Sequence, residues 1–95
     1  MSKDNIIHDP DNRRFIIPLG GDTPAELNYA IHEDPSGDPG RTLVDFTRTY
    51  VPPEHRNKGL AEQLVRRGIA WARDQGWAME ASCSYAAKFL AGRNQ

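Results

Sequence analysis

The sequence predicts a single α+β domain in which a mixed β-sheet carries one long helix and a short C-terminal helix. Three observations lead there. Two strand-like segments, residues 25–33 and 42–51, flank a dense cluster of chain breakers and read as a hairpin. The longest helical periodicity lies over residues 59–75. That helix separates two strand-like runs, so they join through a crossover and pair in parallel, with the right-handed sense such crossovers take. A chain of 95 residues supports one modest core, and residues 1–95 are expected to form one domain.

Taken in order, residues 1–12 mix Asp, Asn, His and Pro with one short apolar pair, Ile6 and Ile7, which predicts a flexible tail with at most an edge contact. Phe15 to Leu19 form a short β-type run that Gly20-Gly21-Asp22 stops. From Ala25 to Glu33, Leu27, Tyr29 and Ile31 alternate with Asn28, Ala30 and His32, the pattern of a half-buried strand. Asp34 to Gly40 is rich in Pro, Gly and Asp and is expected to be an exposed loop. Thr42 to Val51 is the partner strand, and Pro52-Pro53 ends it because neither nitrogen can donate a hydrogen bond. Leu60, Ala61, Leu64, Val65, Gly68, Ile69 and Ala72 then recur on one helical face, opposite Glu62, Arg66, Arg67 and Arg73. The helix is expected over residues 59–75, with Gly76 as its left-handed stop. Trp77 to Cys83 reads as a further strand and Ser84 to Ala91 as a last helix, with Trp71 and Trp77 packing around the end of the long one.

Twelve Lys and Arg against thirteen Asp and Glu leave a net charge of −1, which excludes the strongly basic surface of a dedicated nucleic-acid binder. The charge is uneven. Residues 1–54 carry ten acids and five bases, and residues 55–95 three acids and seven bases, so an anionic ligand belongs with the C-terminal half. Cys83 is the single cysteine, which excludes an internal disulfide framework and multi-Cys zinc sites. The three His show no metal-ligand spacing, and no metal is expected. No stretch approaches the ~18 apolar residues of a membrane span, and the N-terminus lacks the apolar segment of a secretory signal. The expected setting is the cytoplasm, with neither membrane nor nucleic acid as a partner, and a monomer or weak homodimer.

The segment that carries chemistry is Val51-Pro52-Pro53-Glu54-His55-Arg56-Asn57-Lys58-Gly59-Leu60-Ala61, a loop ending at a helix N-terminus. About four backbone N–H groups there have no intrahelical partner. The helix dipole adds the equivalent of roughly +0.5 charge. Gly59 lets the backbone approach a ligand, Ala61 keeps the first turn slim, and Arg56 and Lys58 add positive charge. This arrangement suits a pyrophosphate. The spacing of a Walker loop and the glycine fingerprint of a dinucleotide fold are both absent.

In that setting Arg56-Asn57-Lys58-Gly59-Leu60-Ala61 resembles the Q/R-x-x-G-x-G/A motif of the GNAT superfamily of acyl-CoA N-acyltransferases. With the strand before it, the helix and strand after it, and Cys83-Ser84-Tyr85, residues 14–91 look like the very small GNAT-like N-acetyltransferases. The resemblance implies a twisted mixed sheet with acetyl-CoA, the co-substrate, bound where two parallel strands splay apart. It implies a pyrophosphate on the backbone amides of Asn57, Lys58, Gly59, Leu60 and Ala61, with the cofactor-binding Arg56 beside them, and pantetheine along Tyr50 and Val51. The activity implied is acetyl transfer to an amine of a small molecule or a protein, the amine acceptor being unidentified. Three departures bear on catalysis. Arg48-Thr49 stands where relatives often carry His-Thr, so a histidine base is missing there. Phe89 and Leu90 occupy the stretch where typical members have a proton-donating Tyr. The N-terminal helices that form an acceptor site in full-size members have no counterpart here.

Cys83, Tyr85 and His55 are the catalytic candidates. Cys83 reads either as a small buried residue at a strand end or as a thiol activated by the helix that follows it. Tyr85 reads as a packing aromatic or as the proton donor to the CoA sulfur. His55 borders the loop, while His32 falls on the polar face of a strand. An acceptor amine with a pKa near ~10.4 is mostly protonated at pH 7, so a base or a water chain must take its proton. Strand-end amides near Tyr50 and Val51 are placed to polarise the thioester carbonyl. Direct attack by the amine is favoured over transfer through an acyl-Cys83 intermediate. The alternative to an enzyme is a CoA-binding or interaction module with little or no turnover.

Overall fold

The computed structural model describes residues 5–21, 23–34 and 40–92. The chain runs through β1 (Ile7–Asp9), a 3-10 turn at Pro10–Asn12, β2 (Arg14–Ile17), β3 (Ala25–Glu33), β4 (Thr42–Tyr50), a second 3-10 turn at Pro53–His55, α1 (Leu60–Gln75), β5 (Ala78–Ala81) and α2 (Ser84–Gly92). The five strands lie in sequence order; β1 to β4 pair antiparallel, and β5 joins β4 in parallel after the α1 crossover. The result is the expected α+β sheet with one long and one short helix. β3 keeps the bounds its alternation predicts, and α1 starts one residue later than expected. β5 is shorter than Trp77 to Cys83, because the chain turns away from β4 after Ala81. Most of the expected loop, residues 35–39, lies outside the described residues, as do residues 1–4 and Asp22.

The flexible tail expected over residues 1–12 is corrected over residues 7–12, which form β1 and the turn behind it. Ile7, His8 and Asp9 pair with Ile16, Phe15 and Arg14. The anchor is His8. Its ring stacks on Phe15 at 4.2 Å and 7°, meets Trp71 edge-on at 4.8 Å, and lies 2.6 Å from the Tyr29 hydroxyl. Composition conceals this, since a polar residue in a polar stretch gives no sign of an aromatic box assembled from β2, β3 and α1.

One face of the sheet carries the core. Phe15 and Ile17 of β2, Ala25, Leu27 and Tyr29 of β3, and Val44 and Phe46 of β4 meet Leu64, Val65, Ile69 and Ala72 of α1 and Ala86 of α2 in one cluster. Each large aliphatic or aromatic side chain so buried contributes about 1.5–3 kcal/mol. Gly68 sits where α1 presses closest: a Cβ there would lie 2.9 Å from Leu27 Cδ2 and 3.0 Å from Phe46 Cε1. The cost of glycine inside a helix, about 1 kcal/mol, is offset by that close packing. The opposite face is polar. Arg14 bridges Asp9 at 3.1 Å and Glu26 at 3.0 Å, and Glu26 also accepts from Arg48 at 2.6 Å.

The register of β3 and β4 slips once. Asn28 pairs with Arg48 but Tyr29 pairs with Phe46, so Thr47 is an extra residue and β4 bulges there. A bulge reverses the alternation and bends the strand. Without it, Arg48 would follow Val44 and Phe46 onto the helix side. With it, Thr49 pairs with the buried Leu27 and takes that side instead.

Candidate functional site

Where β4 bulges, β5 departs. Their pairing ends at Phe46 and Ala81, and the Cys83 N–H then donates to the Phe46 carbonyl at 3.0 Å. Beyond that point, among the described residues, no strand pairs with Thr49 and Tyr50 on the β5 side. Parallel strands parting in this way expose backbone N–H and C=O groups that a ligand can satisfy.

Past Val51 the prolines turn the chain into its 3-10 segment, with the His55 N–H donating to the Pro52 carbonyl at 2.9 Å. Arg56 folds the loop back, its Nε donating to the Val51 carbonyl at 2.9 Å. Asn57 and Gly59 both take positive φ, 68° and 78°. Turns that contain left-handed residues are the kind of backbone in which amide groups gather into anion-binding concavities. Gly59 caps α1, and no side chain caps the helix in its place. A Cβ on Gly59 would meet nothing within 4 Å, so the backbone there faces open space. The free amides of the first turn of α1 are thus left for an anion.

These parts enclose a cavity of about 420 Å³, lined by Thr49, Tyr50, Val51, His55, Arg56, Asn57, Gly59, Leu60, Ala61 and Tyr85. That volume is in the range of small-molecule and cofactor sites. The residues named from the sequence as cofactor-binding therefore meet at one cavity, except Lys58, whose exposed side chain is not part of the lining. His55 and Tyr85 line it too, from opposite ends of the crossover. Cys83 does not; it stands one bond behind, its Sγ 3.5 Å from Thr49 Oγ1. Thr49 is the residue that sequence reasoning missed. Simple alternation places it on the open face, and only the bulge brings it beside Cys83.

The electrostatics differentiate the two C-terminal candidates. Burial pushes the Cys83 thiol up, but the Thr49 hydroxyl and the backbone amides of Ala86, Tyr85 and Thr49 outweigh it, and the thiol lies below its ordinary range. Burial raises the Tyr85 phenol, helped by the negative charge of Glu62 and opposed by Arg66, so it keeps its proton at neutral pH. Among the described residues no group of three or more His, Cys, Asp or Glu could hold a metal, and no helix is long and apolar enough to cross a membrane.

A parallel pair splayed at a bulge, with left-handed residues at the head of the crossover helix, brings a strand edge and a helix N-terminus to one cavity. The chain belongs to the family described as GCN5-related N-acetyl-transferase, whose model matches residues 14–95. It is similar to Protein NATD1 of Bos taurus, 27% identical over 86 residues that cover 90% of this chain and 70% of the relative. No solved structure matches it.

Proposed function

We propose that the protein is an acetyl-CoA-dependent N-acetyltransferase that acts on an amine of a small molecule or protein. One observation carries this reading: the unpaired edge of β4 and the uncapped start of α1 open into a single cavity. Proteins of this family typically use acetyl-CoA, and the cavity offers each part of that molecule a chemically matching wall. The amides of Asn57 to Ala61, with Arg56 beside them, receive the pyrophosphate. The free edge at Tyr50 and Val51 pairs with the amide groups of pantetheine. The thioester then reaches the inner end, at Thr49 and Tyr85.

At that end the residues divide the work. Backbone N–H groups of the β4 edge polarise the thioester carbonyl, a contribution worth around 3–4 kcal/mol in other acyl transfers. His55 is the side chain on the lining placed to take the proton of an arriving amine, directly or through water. Tyr85, kept protonated, gives its proton to the departing thiolate. Direct attack by the amine is favoured because Thr49 stands between Cys83 and the cavity.

The test is thiol release from acetyl-CoA across a panel of amines, run on the wild type and on Cys83→Ala. Direct transfer predicts that release depends on the amine and that Cys83→Ala keeps measurable turnover. An acetyl adduct on Cys83, stoichiometric and chased off by amine, would establish the covalent route instead. Tight acetyl-CoA binding with no release for any amine leaves the alternative, a CoA-binding module.

A further inference from the structure

Among the described residues the one buried charged side chain is Asp45 of β4, 8% exposed. It does not line the cavity. A buried carboxylate is costly unless hydrogen bonds satisfy it. Here a single residue satisfies both oxygens: the Ser82 N–H donates to Oδ1 at 2.8 Å and the Ser82 hydroxyl to Oδ2 at 2.7 Å. The next residue is held the same way, the Cys83 N–H donating to the Phe46 carbonyl at 3.0 Å. Consecutive residues of β4 therefore grip consecutive residues of the turn between β5 and α2. The Ala87 N–H then donates to the Cys83 carbonyl at 2.9 Å and starts the helix.

This turn decides what stands at the inner end of the cavity. Ser82 sits where β5 leaves the sheet, and α2 begins two residues later. The contacts of the Cys83 sulfur with the Thr49 hydroxyl and with the amides of Tyr85 and Ala86 exist only while α2 starts at this angle. The same angle carries Tyr85 into the lining.

We propose that Asp45 is a positioning residue: through Ser82 it fixes the turn from β5 into α2, and so sets Cys83 and Tyr85 against Thr49. The role rests on the reading of the cavity as an acyl-CoA site, but its measurement does not need turnover. Cys83 is the single cysteine, so the pH dependence of its alkylation by iodoacetamide reports the turn directly in the full chain. Tyr85 is a titratable side chain two residues on, and burial moves its pKa upward, away from the thiol.

Asp45→Asn and Ser82→Ala are each expected to move the alkylation midpoint upward, toward the ~8.5 of a free thiol. The double variant should shift it no further than the larger single change, since both act through one contact. Ser82→Thr, which keeps the hydroxyl, should retain the wild-type midpoint. Acetyl-CoA affinity, followed by titration of the amides of Asn57 to Ala61, should stay within about threefold because those residues are untouched. If Asp45 acted only through its charge, Asp45→Asn would lower the midpoint and Ser82→Ala would leave it in place. That pattern overturns the proposal, as does an unchanged midpoint in both variants or a Ser82→Thr shift equal to that of Ser82→Ala. Ser82→Ala alters no charge and removes one hydroxyl, so it decides the matter even if Asp45→Asn does not fold. Failure of the wild type to bind acetyl-CoA would overturn the cofactor reading while leaving the midpoint comparison intact.

Discussion

At His8 the chain places an imidazole between Phe15, Trp71 and the Tyr29 hydroxyl, and Arg67 holds its guanidinium over the Phe15 ring at 5.6 Å. Burial lowers the pKa of His8 below 6.5, and the charge of Arg67 lowers it further against an opposing pull from Asp9. Protonation is therefore easier in the unfolded chain than in the fold. The stabilisation is therefore complete above the unfolded value of 6.5 and is lost as pH falls through the lower folded value. Melting of the wild type and of His8→Gln at matched pH is expected to show the wild type losing its advantage between neutral and mildly acidic pH. Parallel melting curves over that interval would mean that His8 does not titrate differently on folding.

At the scale of the element, the loop from Pro52 to Gly59 does its work through backbone conformation. Gly59 holds φ at 78°, where an L-residue costs about 1–2 kcal/mol. Gly59→Glu should therefore lower the melting temperature modestly and put a carboxylate into the turn proposed to hold the pyrophosphate. Calorimetric titration with acetyl-CoA is expected to show at least a tenfold weaker Kd, about 1.4 kcal/mol, in a protein that remains folded. An unchanged Kd would move the pyrophosphate away from this turn. β4 read by alternation alone places Thr49 on the open face, whereas its pairing with β3 shows the bulge that reverses it.

For the whole molecule, binding in a cleft between β4, α1 and α2 ties the two layers together, so a ligand that occupies it should stabilise the entire fold. Acetyl-CoA at one hundred times its Kd should add about 2.7 kcal/mol to the unfolding free energy. Thermal melting with and without it measures this directly. The amides of Asn57 to Ala61 should shift in the same titration, while those of β1 and β2 should not. A stabilisation accompanied by shifts only in β1 and β2 would place the ligand elsewhere.

The hairpin, the long helix and the loop that leads into it were legible because each is specified locally. Alternation marks β3, an apolar stripe and Gly76 bound α1, and Arg56-Asn57-Lys58-Gly59-Leu60-Ala61 carries the family's motif in contiguous residues. The residues it assigns to a cofactor, Lys58 excepted, then meet at one cavity because a loop and the first turn of its helix cannot drift far apart. What pattern could not reach depends on residues distant along the chain. His8 becomes ordered because Phe15, Tyr29 and Trp71 converge on it, the bulge at Thr47 exists only relative to β3, and Ser82 finds Asp45 across the β4–β5 pairing. Secondary structure follows from near neighbours, whereas the side of the sheet a residue faces, and the partner that satisfies a buried charge, are decided when separate strands are brought into register.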